Sequence, residues 1–220
     1  MKIDILTLFP NMYQGIFDES IIKRAVDEGR VEINIHNFRD YTLDPHKKVD
    51  DTPYGGGAGM VLTCQPIFDC VKSLRNDDSI VILMTPDGEV YKQKKAYELS
   101  KKKHLILICG HYEGFDERIR SICDMEISIG DYVLTGGELP AMVVIDSAAR
   151  LVEGVISEES LKDESHTSGL LEYPQYTKPA IWEGLEVPSV LLSGNHKNIE
   201  DFRKKKSLEL TMKNRPDLLN

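Results

Sequence analysis

Apolar residues in this chain fall into short solid runs separated by stretches of helical spacing. Ile3, Ile5, Leu6 and Leu8 open it as a strand that Pro10 stops, and Val31–His36 alternates as a second. Ser79–Met84 (SIVILM) and His104–Cys109 (HLILIC) are nearly unbroken apolar runs, the pattern of strands buried on both faces. Ile16, Ile21, Ile22, Ala25 and Val26 recur at helical spacing within a predicted helix from about Met12 to Glu28, and Gly29 stands where a C-cap would. Gln65–Leu74, Lys92–Ser100 and Ala141–Leu151 read as further helices, with a short one over Phe115–Ile122. Strands alternating with helices predict an α/β domain, a parallel sheet covered by helices on both faces.

Three strand ends in this pattern carry glycine or proline. They are Thr85-Pro86-Asp87-Gly88 after Met84, Gly110–Gly114 after Cys109, and the glycine-broken stretch ISIGDYVLTGGELP at Ile127–Pro140. Ligands of open parallel sheets collect at the carboxyl ends of strands, and paired glycines before a helix let a ligand approach the backbone closely. An ordinary strand-to-helix turn is the plainer reading of any one of these loops; three together favour a site. Familiar phosphate and hydrolase signatures are absent: no G-x-x-x-x-G-K-[ST], no G-x-G-x-x-G after the first strand, no G-x-S-x-G and no H-E-x-x-H. The long polar segment Asn37–Gly59, with its cluster Tyr54–Gly59, has no regular period, which suggests function or mobility.

After Arg150 the pattern changes. Val152–Gly169 is polar and acidic and reads as a linker, and helices from about Ile199 to Lys213 follow a short apolar run at Val187–Leu192. The expected division is a cofactor-binding domain over 1–152, a flexible linker over 153–169 and a small helical domain over 170–220.

Charge complicates this picture. The net charge of −9 opposes nucleic-acid binding if the whole surface counts, yet Arg203-Lys204-Lys205-Lys206, with Lys197, Lys213 and Arg215, makes the C-terminal end basic. A solvated helix face is the ordinary reading of such a run. Cys64, Cys70, Cys109 and Cys123 form no C-x-x-C pair and read as reduced thiols of a cytoplasmic protein. No apolar run approaches the roughly 20 residues of a membrane span, and MKIDILTLFP lacks the features of a signal peptide.

Four segments carry a family resemblance: VDDTPYGGGAGM (Val49–Met60), ICGHYEGFDERI (Ile108–Ile119), SIGDYVLTGGELPAM (Ser128–Met142) and LLSGNHKNIEDFR (Leu191–Arg203). In order and spacing the chain resembles the bacterial tRNA (guanine-N1)-methyltransferases of the SPOUT class. That resemblance implies a trefoil knot in the first domain, a tRNA-binding helical second domain and a homodimer. It also implies transfer of a methyl group from S-adenosylmethionine to N1 of the guanosine immediately 3′ of the anticodon. Two alternatives remain, a ribose 2′-O-methyltransferase of the same class and a non-catalytic RNA-binding protein.

Residue by residue, the resemblance puts the cofactor on Met84, Thr85, Pro86, Gly110, Glu113, Ile129, Gly130, Asp131, Tyr132, Val133 and Leu134, with Gly136, Gly137 and Pro140 lining the loop that bends it. Guanine N1 carries a proton that a general base must remove, and the negative charge that builds toward O6 calls for a cation. Arg150 matches the family's arginine for that cation. Relatives commonly have an aspartate directly before a serine in the linker as base; here Glu164 precedes Ser165, and Asp163 stands one place earlier, so both are candidates with Glu164 first. The anticodon arm would meet Asn195, His196, Arg203, Lys204 and Lys206. Whether a divalent cation such as magnesium takes part is not written in the sequence.

Overall fold

The computed structural model describes residues 1–162, 164–167 and 169–219, and only the backbone of Glu158. The chain divides into two compact units, Met1–Ile156 and Ser157–Asn220. In the first, five strands form one sheet: β1 (Lys2–Thr7), β2 (Glu32–Asn37), β3 (Ser79–Val90), β4 (His104–Cys109) and β5 (Met125–Ser128). All pairings are parallel, in the order β2-β1-β4-β3-β5. The solid apolar runs have a simple cause. Ile3, Ile5, Ile82, Leu105 and Leu107 pack into one core, while Leu6, Val81, Leu83, Ile106 and Ile108 pack into another on the opposite face. Each such buried side chain contributes about 1.5–3 kcal/mol relative to exposure. Helices α1 (Ser20–Asp27), α3 (Gln93–Ser100) and α4 (Glu138–Ala149) supply apolar residues to the first core, and α2 (Cys64–Leu74) to the second.

Three elements depart from the sequence pattern. The helix expected from Met12 begins only at Ser20, because a 3-10 turn at Pro10–Tyr13 and Gly15, at φ +85°, break it. The strand expected to end at Met84 continues to Val90, with its register against β5 shifted between Met84 and Glu89. Gly88 allows this, since a Cβ there would lie 2.6 Å from the backbone of Glu126 and Ile127. The Phe115–Ile122 helix is a 3-10 turn over Glu117–Ile122, capped by the Asp116 carboxylate, which accepts from the Arg118 N–H.

Where the strands begin, opposite the glycine loops, Asp4 is fully buried. Its carboxylate meets His104 Nε2 at 2.6 Å, His36 Nε2 at 2.9 Å, Lys2 Nζ at 3.0 Å and Asn34 Nδ2 at 3.2 Å, and His104 Nδ1 meets the Ser79 hydroxyl at 2.7 Å. Burial alone would raise the Asp4 pKa; the bonds from His36, Lys2, His104 and Asn34 outweigh it and hold the carboxyl well below the usual range.

The second unit contains α5 (Glu158–Lys162), a hairpin pairing Ile181–Trp182 with Leu185–Glu186, α6 (Ser189–Leu192) and α7 (His196–Asn214). The stretch read as a linker contains α5 and a few local backbone bonds among its described residues. Beyond α5, Thr167 N–H donates to the Glu164 carbonyl, His166 N–H to Leu170, and Glu172 N–H to the Ser165 hydroxyl. Residue 171 is tied to α7 through Thr211 and Ser207.

Candidate functional site

Where β3 shifts register past Met84, and at the carboxyl ends of β4 and β5, the three glycine-broken stretches enclose a cavity of about 440 Å³. That volume falls within the roughly 300–1,000 Å³ of small-molecule sites. Met84, Thr85, Pro86, Gly110, Glu113, Ile129, Gly130, Tyr132, Val133, Leu134, Gly136, Gly137 and Pro140 all line it. Asp131, the remaining residue expected there, does not; it is exposed.

Each wall is fixed by bonds that the sequence does not announce. The Gly137 N–H donates to the Gly110 carbonyl at 2.8 Å, closing the third loop onto the second. A Cβ on Gly137 would lie 2.8 Å from Cys109 Cα and 3.0 Å from Gly110 N, so this glycine lets α4 begin directly against the end of β4. Gly130, at φ +153°, sits under the Tyr132 ring. The second loop is anchored from the glycine-rich segment: Glu113 N–H donates to the Met60 carbonyl at 3.0 Å and Leu62 N–H to Gly114 at 2.9 Å. Directly before them Tyr112 holds φ +61°, a strained conformation for a non-glycine residue and one that clusters at functional sites. Asp87 and Arg120 pair at 2.7 Å on the rim. The Asp87 pKa is lowered, first by the Thr85 hydroxyl.

Beside this cavity is a polar chain that the sequence reading missed. Glu138, the first residue of α4, is 1% exposed. One carboxylate oxygen accepts from the Thr7 hydroxyl at 2.7 Å, and the other meets His111 Nε2 at 2.8 Å. His111 lines the cavity and packs against Phe9, with ring centroids 4.4 Å apart. A Cβ on Gly136 would strike His111 Nε2 and Glu138 Oε2, so that glycine clears space for the pair. The legible signal was a charged residue directly after Gly-Gly at a helix start, with a histidine directly after the glycine of a neighbouring strand end.

The residues expected to carry chemistry are not all gathered here. Arg150 caps the C-terminus of α4, the opposite end of that helix from Gly137. Glu164 belongs to the second unit and is partly buried; Asp163 lies outside the described residues. Asn195 is the N-cap of α7, its side-chain oxygen accepting from the Asn198 N–H at 3.2 Å, and His196 follows, exposed, as the first helical residue. Arg203 lies over the Tyr173 ring at 4.7 Å. Lys204 pairs with Glu200 at 2.6 Å and Lys206 with Glu209 at 2.7 Å, so the basic run is partly neutralised along its own helix.

No helix among the described residues is long and apolar enough to cross a membrane. A family described as tRNA (Guanine-1)-methyltransferase TrmD matches residues 1–220. A protein of Dictyoglomus turgidum named tRNA (guanine-N(1)-)-methyltransferase is 58% identical over 220 residues, covering 100% of this chain and 90% of the relative. Proteins of the same name from Halalkalibacterium halodurans and Ruminiclostridium cellulolyticum are each 58% identical, over 224 and 225 residues. They too cover 100% of this chain, and 91% and 97% of the respective relatives.

Proposed function

Because this chain belongs to the tRNA (guanine-1)-methyltransferase family along its whole length, we propose that it methylates N1 of the guanosine immediately 3′ of a tRNA anticodon. The observation that carries the reading is the cavity that three glycine-broken loops build at the strand ends of a chain so closely matched to that family.

S-adenosylmethionine, when bound, supplies an electrophilic methyl group. Its fit is supported by the cavity volume, by the apolar side chains of Met84, Ile129, Val133 and Leu134 for a purine, and by backbone groups at Gly110 and Gly130. The protein's own task is alignment and proton handling. Glu164, or Asp163 one place earlier, takes the N1 proton, and Arg150 offsets the charge that grows toward O6. Asn195, His196, Arg203, Lys204 and Lys206 face the anticodon arm, whose target base is unstacked to reach the cavity. The reading divides the work between a cofactor domain over 1–152 and a tRNA-binding domain over 170–220, joined by residues 153–169.

A trefoil knot belongs to this reading. Its support is the path of the chain after β5: it leaves the sheet edge and bonds through Gly137 to Gly110 at the end of β4, two strands in from that edge. A homodimer belongs to it as well, on two grounds. Ile16, Leu134, Leu139 and Val143 form one partly exposed apolar groove along α4, the kind of surface that marks an interface. Arg150 and Gly137, both expected at the reaction, stand at opposite ends of α4, which a second copy would reconcile. We place the enzyme in the cytoplasm with its tRNA substrate, its four cysteines free. Titration with S-adenosylmethionine tests the reading against RNA binding alone: micromolar-range heat of binding is expected, and none at all would refute an enzyme.

A further inference from the structure

Glu138 poses a physical question. It is almost fully buried, yet among the described residues its single ion-pair partner is His111, and its other bond comes from the neutral Thr7 hydroxyl. Buried carboxylates are ordinarily matched by a cation. The N-terminus of α4 offsets part of the charge, and no lysine or arginine among the described residues completes the pairing.

The geometry also fixes which nitrogen of His111 is turned to Glu138. Glu138 accepts from Nε2–H, so in the neutral imidazole Nδ1 is the acceptor. No hydrogen-bonding partner for Nδ1 occurs among the described residues, and the side chain lines the cavity. Phe9 against the ring and the bare Gly136 beside it hold this orientation. With the imidazole neutral, a negative charge sits behind an acceptor atom at the wall of a cavity, and its complement is a cationic N–H donor.

We propose that Glu138 and His111 receive the α-ammonium group of the cofactor's amino-acid arm, Glu138 supplying the charge and His111 Nδ1 the acceptor. This rests on the cofactor reading of the cavity and adds to it which end of the ligand this wall holds. His111 is then a ligand-contacting residue, and Glu138 acts through it as a positioning residue.

The test compares S-adenosylhomocysteine, which carries the ammonium, with 5′-methylthioadenosine, which lacks the amino-acid arm. Wild type, His111→Gln, His111→Asn and Glu138→Gln are titrated calorimetrically with each ligand and melted. Glutamine keeps an N–H in reach of Glu138 and loses the Nδ1 acceptor; asparagine keeps an acceptor near Nδ1. His111→Gln is expected to bind S-adenosylhomocysteine roughly 10–100-fold more weakly, the worth of a hydrogen bond to a charged group, with an unchanged melting temperature. Its affinity for methylthioadenosine should stay within about twofold of wild type, and His111→Asn should recover part of the loss. Glu138→Gln should weaken S-adenosylhomocysteine selectively too. Unchanged S-adenosylhomocysteine binding by His111→Gln, or equal loss of both ligands, overturns the inference while leaving the cofactor reading in place. A wild type that binds neither ligand refutes the cofactor reading, and this inference with it.

Discussion

Replacing Gly137 by alanine puts one methyl group where the chain has no room. The added Cβ would stand 2.8 Å from Cys109 Cα, 3.0 Å from Gly110 N and 3.2 Å from Cys109 Cβ. Carbon atoms prefer roughly 3.5–4.0 Å, so something must yield by several tenths of an ångström. It cannot be a flexible side chain, because the obstacle is the end of β4, whose six residues are all buried. Gly137 itself sits at φ −83°, so backbone strain is not the issue; close approach is. Overpacking of this kind costs about 1–3 kcal/mol. Displacing the start of α4 also weakens the 2.8 Å bond from Gly137 N–H to the Gly110 carbonyl, worth about 0.5–1.5 kcal/mol more. The sum is about 1.5–4.5 kcal/mol. For a chain of this size, at about 2–4 °C per kcal/mol, the melting temperature should fall by about 3–18 °C. Calorimetric melting of Gly137→Ala, paired with a cofactor titration below the transition, checks this. Cofactor affinity should fall with stability, since the same shift moves a cavity wall. A variant that melts with the wild type yet no longer binds cofactor would mean that Gly137 makes way for the ligand instead of for β4.

Three further outcomes follow from the same structure. Asp4→Asn should cost about 3–5 kcal/mol at neutral pH, because it strips the carboxylate from a buried cluster with His36, His104 and Lys2. Since the folded Asp4 pKa lies below the unfolded value, its stabilisation is present above about pH 4 and is lost as pH falls through that range toward the folded value; urea midpoints from pH 7 to pH 3 should fall for wild type and flatten for Asp4→Asn. Reversing Lys204 and Lys206 to glutamate should raise the KM for tRNA and reduce its salt dependence at constant cofactor affinity; equal losses for both ligands would indicate an unfolded second unit. Glu164→Gln should lower kcat by about 10²–10⁴ with cofactor binding intact, and Asp163→Asn much less; the reverse order in single-turnover assays would move the base to Asp163.

What was legible in the sequence had a local cause. HLILIC shows as a central strand because neighbours and helices cover both its faces, so every position after His104 is apolar. The cavity's three walls show because glycine and proline punctuate them, and a side chain at Gly88, Gly110, Gly136 or Gly137 would obstruct its neighbours. What was hidden depends on distance along the chain. Thr7 and Glu138 meet across 131 positions, and no periodicity links them. Gly137 looked like room for a ligand, since a sequence cannot say that Cys109 stands behind it. The start of α1 was misplaced because apolar residues at Met12 and Ile16 keep helical spacing while Gly15 and Ser20 take positive φ. Lys204 and Lys206 stood out as free charge, although glutamates one turn away pair with both.

The central claim is that this protein methylates guanine N1 in tRNA, and it is tested most directly with two transcripts. One tRNA carries G immediately 3′ of the anticodon and the other carries A there, each incubated with enzyme and S-adenosylmethionine labelled in the methyl group. The account predicts that label enters the G transcript alone, and that digestion to nucleosides recovers it as N1-methylguanosine. Label on the A transcript, or recovery at a ribose 2′ oxygen, would contradict it.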